Sequence, residues 1–386
     1  MSSVSSSTRR DALTTLGCLA LGLPVLSACG KKEATPPPMP STDPGAGAID
    51  PADPSSAVAA PQPPKKVEEK AKDKDKDKPV AGRAKFVLMV DSMDSPMRNF
   101  QQVLTKRLLR TRAGVDLVMV RALGDAQRQV AQLRSQFAEG ARYFLVFPVE
   151  AETLKAPLME LKAAGATIIV FSKDVPASAC TTAIFTDDAK LGALAGDFVI
   201  AALQQKCQAE GRPETVGRVV QITGPEGDPA TETISIAFQA SLKKAPGVQL
   251  VHDAPGNWAA DDGTARFNDA LRLQKQFDVV FAHSDFMAKG ASKAARAATP
   301  PVRDSLLILG LDGNPGQDGG LSMVINSEID ATIYRPLLID HAWKVCLRLL
   351  EAPTFQPKPR YDLAPQLVTL EVAETLQRKG PPSVPL

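Results

Sequence analysis

Runs of nearly unbroken apolar residues, each of strand length and each followed by a helix-length amphipathic segment, constrain this chain more than any other feature. KFVLMV (85–90), VDLVMV (115–120), YFLVF (143–147) and TIIVF (167–171) form a first series. RVVQIT (218–223), VQLV (248–251), DVVF (278–281) and LLILG (306–310) form a second. After the first run, Met97, Phe100, Val103, Leu104 and Leu108 recur at helical spacing behind Pro96, a residue suited to a helix's first turn. Solid apolar strands joined by helical crossovers specify parallel sheets covered on both faces. The expected fold class is therefore α/β, with two doubly wound lobes. In such sheets a ligand sits beyond the carboxyl ends of the strands, so the residues just after each strand are the ones to inspect.

The chain ahead of this body is of a different kind. Thr8-Arg9-Arg10 precedes an apolar stretch, Ala12 to Ala28, interrupted by Gly17, Gly22 and Pro24. A charged start, a short apolar core and small residues at Ser27 and Ala28 define a secretory signal over 1–28, too short and broken to span a bilayer. Leu26-Ser27-Ala28-Cys29 resembles the bacterial lipobox, in which the cysteine is lipidated after cleavage; several acyl chains on Cys29 would anchor the protein stably. The arginine pair resembles a twin-arginine signal but lacks the usual aromatic residue after it, so the Sec and twin-arginine routes both stay open. From 29 to 83, Pro36-Pro37-Pro38, Pro63-Pro64 and KKVEEKAKDKDKDK leave almost nothing bulky to bury. Such a segment is expected to be a disordered, solvated spacer, with an end-to-end distance of about 40 Å. Residues 379–386 read as a short tail.

Several function classes fall away on composition. Net charge is +2 and aromatics are 5%, with no basic patch to suggest nucleic acid. His252, His283 and His341 are far apart and lack neighbours at metal-ligand spacing. GPEGDP after a strand is not followed by Gly-Lys-Ser/Thr, and no serine sits in a Gly-x-Ser-x-Gly elbow. In DGNPGQDGG, Gly316 and Met323 stand where a calcium loop needs ligands, so the stretch reads as a tight turn. Neither catalysis nor a cofactor or metal is expected. Beyond the signal, Cys180, Cys207 and Cys346 remain; a Cys180–Cys207 disulfide and three buried thiols are both open.

Several stretches, in order, resemble the type I periplasmic sugar-binding proteins, the ribose- and galactose-binding group that shares its core with the lactose repressor. VVFAHSDFMAKGASKA (279–294) is similar to that family's strand-turn-helix, and LLILGLDGNP (306–315) to its Gly-Phe-Asp-Gly strand end. TDDAKLGALAGDFV (186–199) resembles its hinge, GRVVQITGPEGDPATETISIAFQASL (217–242) its next strand-loop-helix, and PVEAETLKAPLMELKAAGATIIVFSKD (148–174) the stretch closing its first lobe. The resemblance implies a clamshell of two Rossmann-like lobes joined by three hinge crossings, near Thr186, Tyr334 and Leu367. Lobe 1 would comprise 84–186 and 336–366, and lobe 2 would comprise 187–335 and 367–378.

It also implies a ligand site. Trp258 falls at the family's aromatic stacking position, Asp312 on its hydroxyl-binding aspartate, and Arg335 at a hinge crossing where a polar residue is usual. Departures are as informative. The loop bearing Asp94 and Arg98 lacks the two sandwiching aromatics; Ser172, followed by Lys173, replaces an aspartate; Ile234 stands where an arginine is expected; and Ser284 replaces an asparagine. Arg98, Lys173 and Arg335 together raise the expectation of an anionic group on the ligand. The function implied is that of a monomeric, lipid-anchored solute-binding component that delivers a sugar or related polyol to an ABC permease. The alternative is a sensory module that presents its closed form to a membrane receptor or kinase. A repressor is excluded by the secretion signal and tether, which stand where a DNA-binding helix-turn-helix would have to be.

Overall fold

The computed structural model describes residues 83–91, 96–110, 114–352 and 354–380, with backbone alone at 96–98, 100, 107, 109 and 110. The signal, Cys29, the spacer up to residue 82, Asp94, the side chain of Arg98 and residues 381–386 lie outside what is described.

The first sheet is built from β1 (Ala84–Val90), β2 (Val115–Arg121), β3 (Tyr143–Val146), β4 (Thr167–Phe171) and β5 (Thr182–Thr186), joined late in the chain by β11 (Arg360–Leu363). Its order is β11-β5-β4-β3-β1-β2, and every neighbouring pair is parallel. Helices α1 (Pro96–Arg110), α2 (Ala126–Ala138) and α3 (Ala151–Ala163) make the crossovers. β1 shows why its sequence is solidly apolar. Phe86, Leu88 and Val90 pack on one face against Trp343 and Cys346, while Val87 and Met89 pack on the other against Leu133 and Leu154. A strand covered on both sides has no solvent-facing position for a polar residue.

The chain then enters a second sheet through α4 (Asp188–Ala209), whose first turn is capped by the Asp187 carboxylate accepting from the Lys190 amide at 3.0 Å. β6 (Gly217–Thr223), β7 (Val248–Pro255), β8 (Val279–Ala282) and β9 (Leu307–Leu309) form a parallel sheet of order β7-β6-β8-β9. Its faces are covered by α4 and α5 (Pro229–Leu242) on one side and by α6 (Ala260–Gln274) and α7 (Asp285–Ala297) on the other. Where α4 crosses α5, Gly192 lies so close that a Cβ there would strike the α5 backbone at Ile234 and Phe238.

After the short helix α8 (Gly320–Ile325) and β10 (Thr332–Tyr334), helix α9 (Leu338–Glu351) returns to the first core, where Ile339, Trp343 and Cys346 are buried. β11 joins the first sheet; β12 (Gln366–Val368) then pairs antiparallel with β10, and α10 (Leu370–Lys379) packs Ala373 and Leu376 into the second core. The backbone thus passes between the two sheets three times. Among the described residues no helix is long and apolar enough to cross a membrane.

The possible Cys180–Cys207 disulfide is not formed. All three cysteines are free and buried. Cys180 belongs to the core beneath the first sheet and Cys207 to the core of the second, with its sulfur 3.4 Å from the Val216 carbonyl oxygen. Two thiols packed in different cores cannot meet at bonding geometry without dismantling both.

Candidate functional site

A non-glycine residue with clearly positive φ is uncommon, and such strain persists only where the surroundings enforce it. Six occur among the described residues, and four of them sit just past the carboxyl end of a strand: Leu123 after β2, Ser172 after β4, Trp258 after β7 and Asp312 after β9. Strain concentrated at the carboxyl rim marks the place where a doubly wound sheet binds its ligand.

On the second sheet this rim is polar. Asp312, 8% exposed, follows β9 with φ at 114°. Its amide donates to the Ile333 carbonyl at 2.9 Å and its carbonyl accepts from the Arg335 amide at 3.0 Å, which ties the strand end to the crossing beside it. The Arg335 guanidinium then lies between two carboxylates, with Nη1 3.1 Å from Asp188 Oδ1 and Nε 3.5 Å from Asp312 Oδ1. Asp188 opens α4, so the ion pair spans the first and second crossings. Burial pushes the Asp312 carboxyl up to about 7, against the pull of Arg335 and with the help of Asp188. Asp188 is raised by burial too, opposed by Arg335 and reinforced by Asp228 and Asp187.

The β8 end contributes a second layer. Asp285 accepts from the Gly313 amide at 2.7 Å and from the Thr332 hydroxyl at 2.5 Å, which orders the loop carrying Asp312. Burial, then repulsion from Asp312, raises its carboxyl well above the usual range. His283, 1% exposed, has Nε2 2.9 Å from the Gln221 amide nitrogen. Burial and the nearby Arg335 charge hold it down to about 3, so it is a neutral imidazole. Its Nδ1 and the Gln221 Oε1 are both buried with no hydrogen-bond partner among the described residues.

Trp258 is half-buried against the second core, and its indole lies over Gly224 at the end of β6, where a Cβ would fall inside the ring and against the Thr231 hydroxyl. Ser284 is already committed: its hydroxyl accepts from the Met287 amide at 3.1 Å as the cap of α7 and donates to the Trp258 carbonyl at 3.2 Å. It therefore holds the Trp258 loop, with no donor left for a ligand. On the first sheet, Phe147 and Phe171 stack at 4.4 Å beneath the ends of β3 and β4. Ser172 is exposed there, and the Lys173 ammonium donates to the Val149 carbonyl.

Trp258, Ser284, Asp312 and Arg335 thus share the second sheet's rim, and Ser172 and Lys173 lie at the first sheet's. Of the three basic residues, Arg335 is flanked by two carboxylates and Lys173 donates to a backbone carbonyl, while the side chain of Arg98 lies outside what is described. Asp188, His283 and Gln221 are rim residues that sequence reasoning passed over. TDD at the hinge start and the histidine beside Ser284 were the available signals. Among the described residues no group of histidine, cysteine and acidic side chains is placed to hold a metal ion.

A profile of the family described as "periplasmic binding protein domain" matches residues 86–335. A curated relative from Rhizobium meliloti, named for rhizopine binding, is 26% identical over 255 residues, covering 65% of this chain and 78% of the relative. Among solved structures, a solute-binding protein of an ABC transporter from Bacillus halodurans, with bound myo-inositol, superposes with a TM-score of 0.62 at 18% identity, over 78% of this chain and 99% of that one. The fructose-binding periplasmic domain of a hybrid two-component system also gives 0.62 at 22% identity, over 77% and 94%.

Proposed function

The chain belongs to the periplasmic binding protein family, and from that premise we propose that it captures a sugar or related polyol between its two lobes and delivers it to an ABC importer. The family consists of extracytoplasmic solute-binding proteins and not of enzymes. Relatives named for rhizopine, apiose, xylitol and ribose support a small ligand rich in hydroxyls.

The observation that carries the reading is the rim of the second sheet. It offers what a polyol needs, a few fixed polar groups beside an aromatic face: Asp312 and Asp188 as acceptors, the unpartnered His283 Nδ1, and the Trp258 indole. The protein is read as a monomer attached to the envelope through lipid on Cys29, with the 29–83 segment as tether. Labelling cells with a radioactive fatty acid tests the anchor: wild type should incorporate label and Cys29→Ala should not.

The likeness to a two-component sensor domain supports a second reading of the same fold, in which the closed form is presented to a kinase. Deleting the gene for this protein separates the two. Loss of sugar uptake favours the importer, and loss of a transcriptional response with uptake intact favours the sensor.

The binding step is tested by the melting temperature of the full chain against sugars, polyols, sugar phosphates and nucleosides. A ligand at a hundred times its dissociation constant adds about 2.7 kcal/mol, a shift of several degrees. A shift with a neutral sugar or polyol supports the proposal. Silence across the panel from a folded protein contradicts it.

A further inference from the structure

Every strand of the first sheet runs in the same direction, so the sheet has a carboxyl end, which carries the rim, and an amino end opposite. The chain enters the fold at the amino end. Arg83 stands one residue before β1; its guanidinium donates to the Val115 carbonyl, with Nε 3.1 Å from Asp116 Oδ1. The Ala84 amide donates to the Gly114 carbonyl at 2.8 Å. Residues 1–82, Cys29 among them, all precede this point.

Basic side chains that the sequence scatters gather at the same end. α1 finishes on KRLLR, and α9, packed against it, finishes with Arg348 in its last turn. Arg142 precedes β3, its carbonyl accepting from the Thr167 amide at 2.8 Å. Lys358 precedes β11, its carbonyl accepting from the Thr182 hydroxyl at 2.7 Å. Some charges here are balanced: Arg83 by Asp116, Lys85 by Glu139 at 3.2 Å, and Arg360 by Asp174 at 2.6 Å and Asp362 at 2.8 Å. Lys106, Arg142, Arg348 and Lys358 are exposed and have no carboxylate partner among the described residues. Arg142 donates to the Phe137 carbonyl at 3.0 Å and lies over the Phe137 ring, and Lys358 lies over the Tyr361 ring at 5.4 Å. The exposed Glu351 at the end of α9 offsets part of this charge.

We propose that the amino end of the first sheet is a docking face for anionic phospholipid headgroups, which holds the protein end-on at the membrane. An exposed cation with no internal partner keeps its charge for an outside anion, and each one brought near an anionic bilayer strengthens attachment about fivefold. Where the chain enters the fold identifies the occupant. A protein held by lipid on Cys29 stays within about 40 Å of the headgroups, the span of its tether, and the face at the root of that tether is this one. A flexible tether fixes the distance to the membrane and leaves the orientation free; the basic face supplies the orientation. Because the rim lies at the other end of the same strands, lipid contact leaves it open to solute. The inference rests on the lipid-anchored reading above, and its test does not need the anchor.

That test is cosedimentation with vesicles of phosphatidylglycerol and phosphatidylethanolamine, beside vesicles of phosphatidylcholine alone. The protein is the chain from residue 29 with Cys29→Ser, which carries no acyl chain; the buried cores are formed by residues after 83, so they are complete in it. Binding to the anionic vesicles should exceed binding to phosphatidylcholine about tenfold or more, and should fade as salt rises from about 0.05 M to about 0.5 M. Lys106→Glu combined with Arg348→Glu should weaken it about tenfold or more. Lys243 and Lys293 are exposed in the second lobe. Their paired change to glutamate alters net charge equally and should leave binding within about twofold.

Equal binding to both kinds of vesicle, or binding to neither, overturns the docking face. An equal loss in the two double variants also overturns it, because net charge would then be the cause. The lipid and salt dependences are measured without either double variant and do not depend on its folding. Vesicle binding by a protein that takes up no fatty-acid label in cells would keep the face and remove the anchor. Label without vesicle binding would do the reverse.

Discussion

Arg335 Nη1 lies 3.1 Å from Asp188 Oδ1 across 147 residues of chain, and this one ion pair ties the crossing after β10 to the crossing after β5. A clamshell opens by changing a few backbone torsions at such crossings. This charge pair spans two of them, and on the proposed binding mode a ligand touches it, which would couple occupancy of the cleft to the position of the lobes.

Arg335→Ala leaves Asp188 and Asp312 facing each other without a cation. Removing one partner of a partly buried pair exposes the other to its full desolvation cost, so the variant should lose about 2 kcal/mol of stability. Its melting point should fall more at pH 8 than at pH 5.5, where Asp312, pushed up to about 7 in the fold, takes up a proton and no longer needs the guanidinium. A fall independent of pH would count against the carboxylate pair as the cause.

Trp258 is predicted to report the ligand. The chain has two tryptophans, and Trp343 is sealed in the first core beside Phe86, with ring centroids 5.9 Å apart. A ligand-dependent change in fluorescence should survive Trp343→Phe and vanish in Trp258→Phe. Trp258→Ala should weaken binding by about tenfold or more, as loss of a central aromatic contact does. Gly224→Ala should imitate it by displacing the indole.

Of the eight strands legible in the sequence, β1, β3, β4, β6, β8 and β9 are buried along most of their length, where burial forces a continuous apolar run, while the edge strands β2 and β7 are only partly covered. β5, buried from Thr182 to Phe185, escaped because its apolar run is only the three residues between two threonines. β10 and β12 escaped because they are three residues long and pair only with each other, and β11 because RYDL alternates buried and exposed positions at a sheet edge. Asp312 was marked by the strand end it follows. Asp188 was not, since its partner is distant in sequence and an aspartate opening a helix has an ordinary explanation in capping. Ser284 looked free for the converse reason: only the folded turn shows its hydroxyl spent on Met287 and Trp258.

A buried ion pair far from the rim sets a separate expectation. Arg303 Nη2 lies 3.1 Å from Asp330 Oδ2, with the side chains 8% and 12% exposed; Arg303 also donates to the Ser292 hydroxyl at 3.0 Å and the Leu306 carbonyl at 3.1 Å. Arg303→Ala should cost about 3–5 kcal/mol, read as a lower melting point, with ligand affinity unchanged in the fraction that folds.

His341 gives acid sensitivity. It is buried edge-on against Tyr361, at 4.4 Å between centroids, and burial holds it down to about 4. A depressed histidine is neutral in the fold but binds a proton when unfolded, so the unfolded state carries more protons between about 6.5 and about 4. The contribution is present above pH 6.5 and is lost as pH falls towards 4, by about 3 kcal/mol at most. His341→Gln should flatten the melting curve's dependence on pH in that window; an unchanged slope would contradict the assignment.

The most direct measurement is a calorimetric titration of the full chain with the sugar or polyol that raises its melting point most, repeated on Asp312→Ala. The account predicts saturable binding of one ligand per chain, weakened at least about tenfold in the variant. Saturable binding that Asp312→Ala leaves untouched would place the site elsewhere, and the absence of saturable binding by any of these compounds would contradict the solute-binding role.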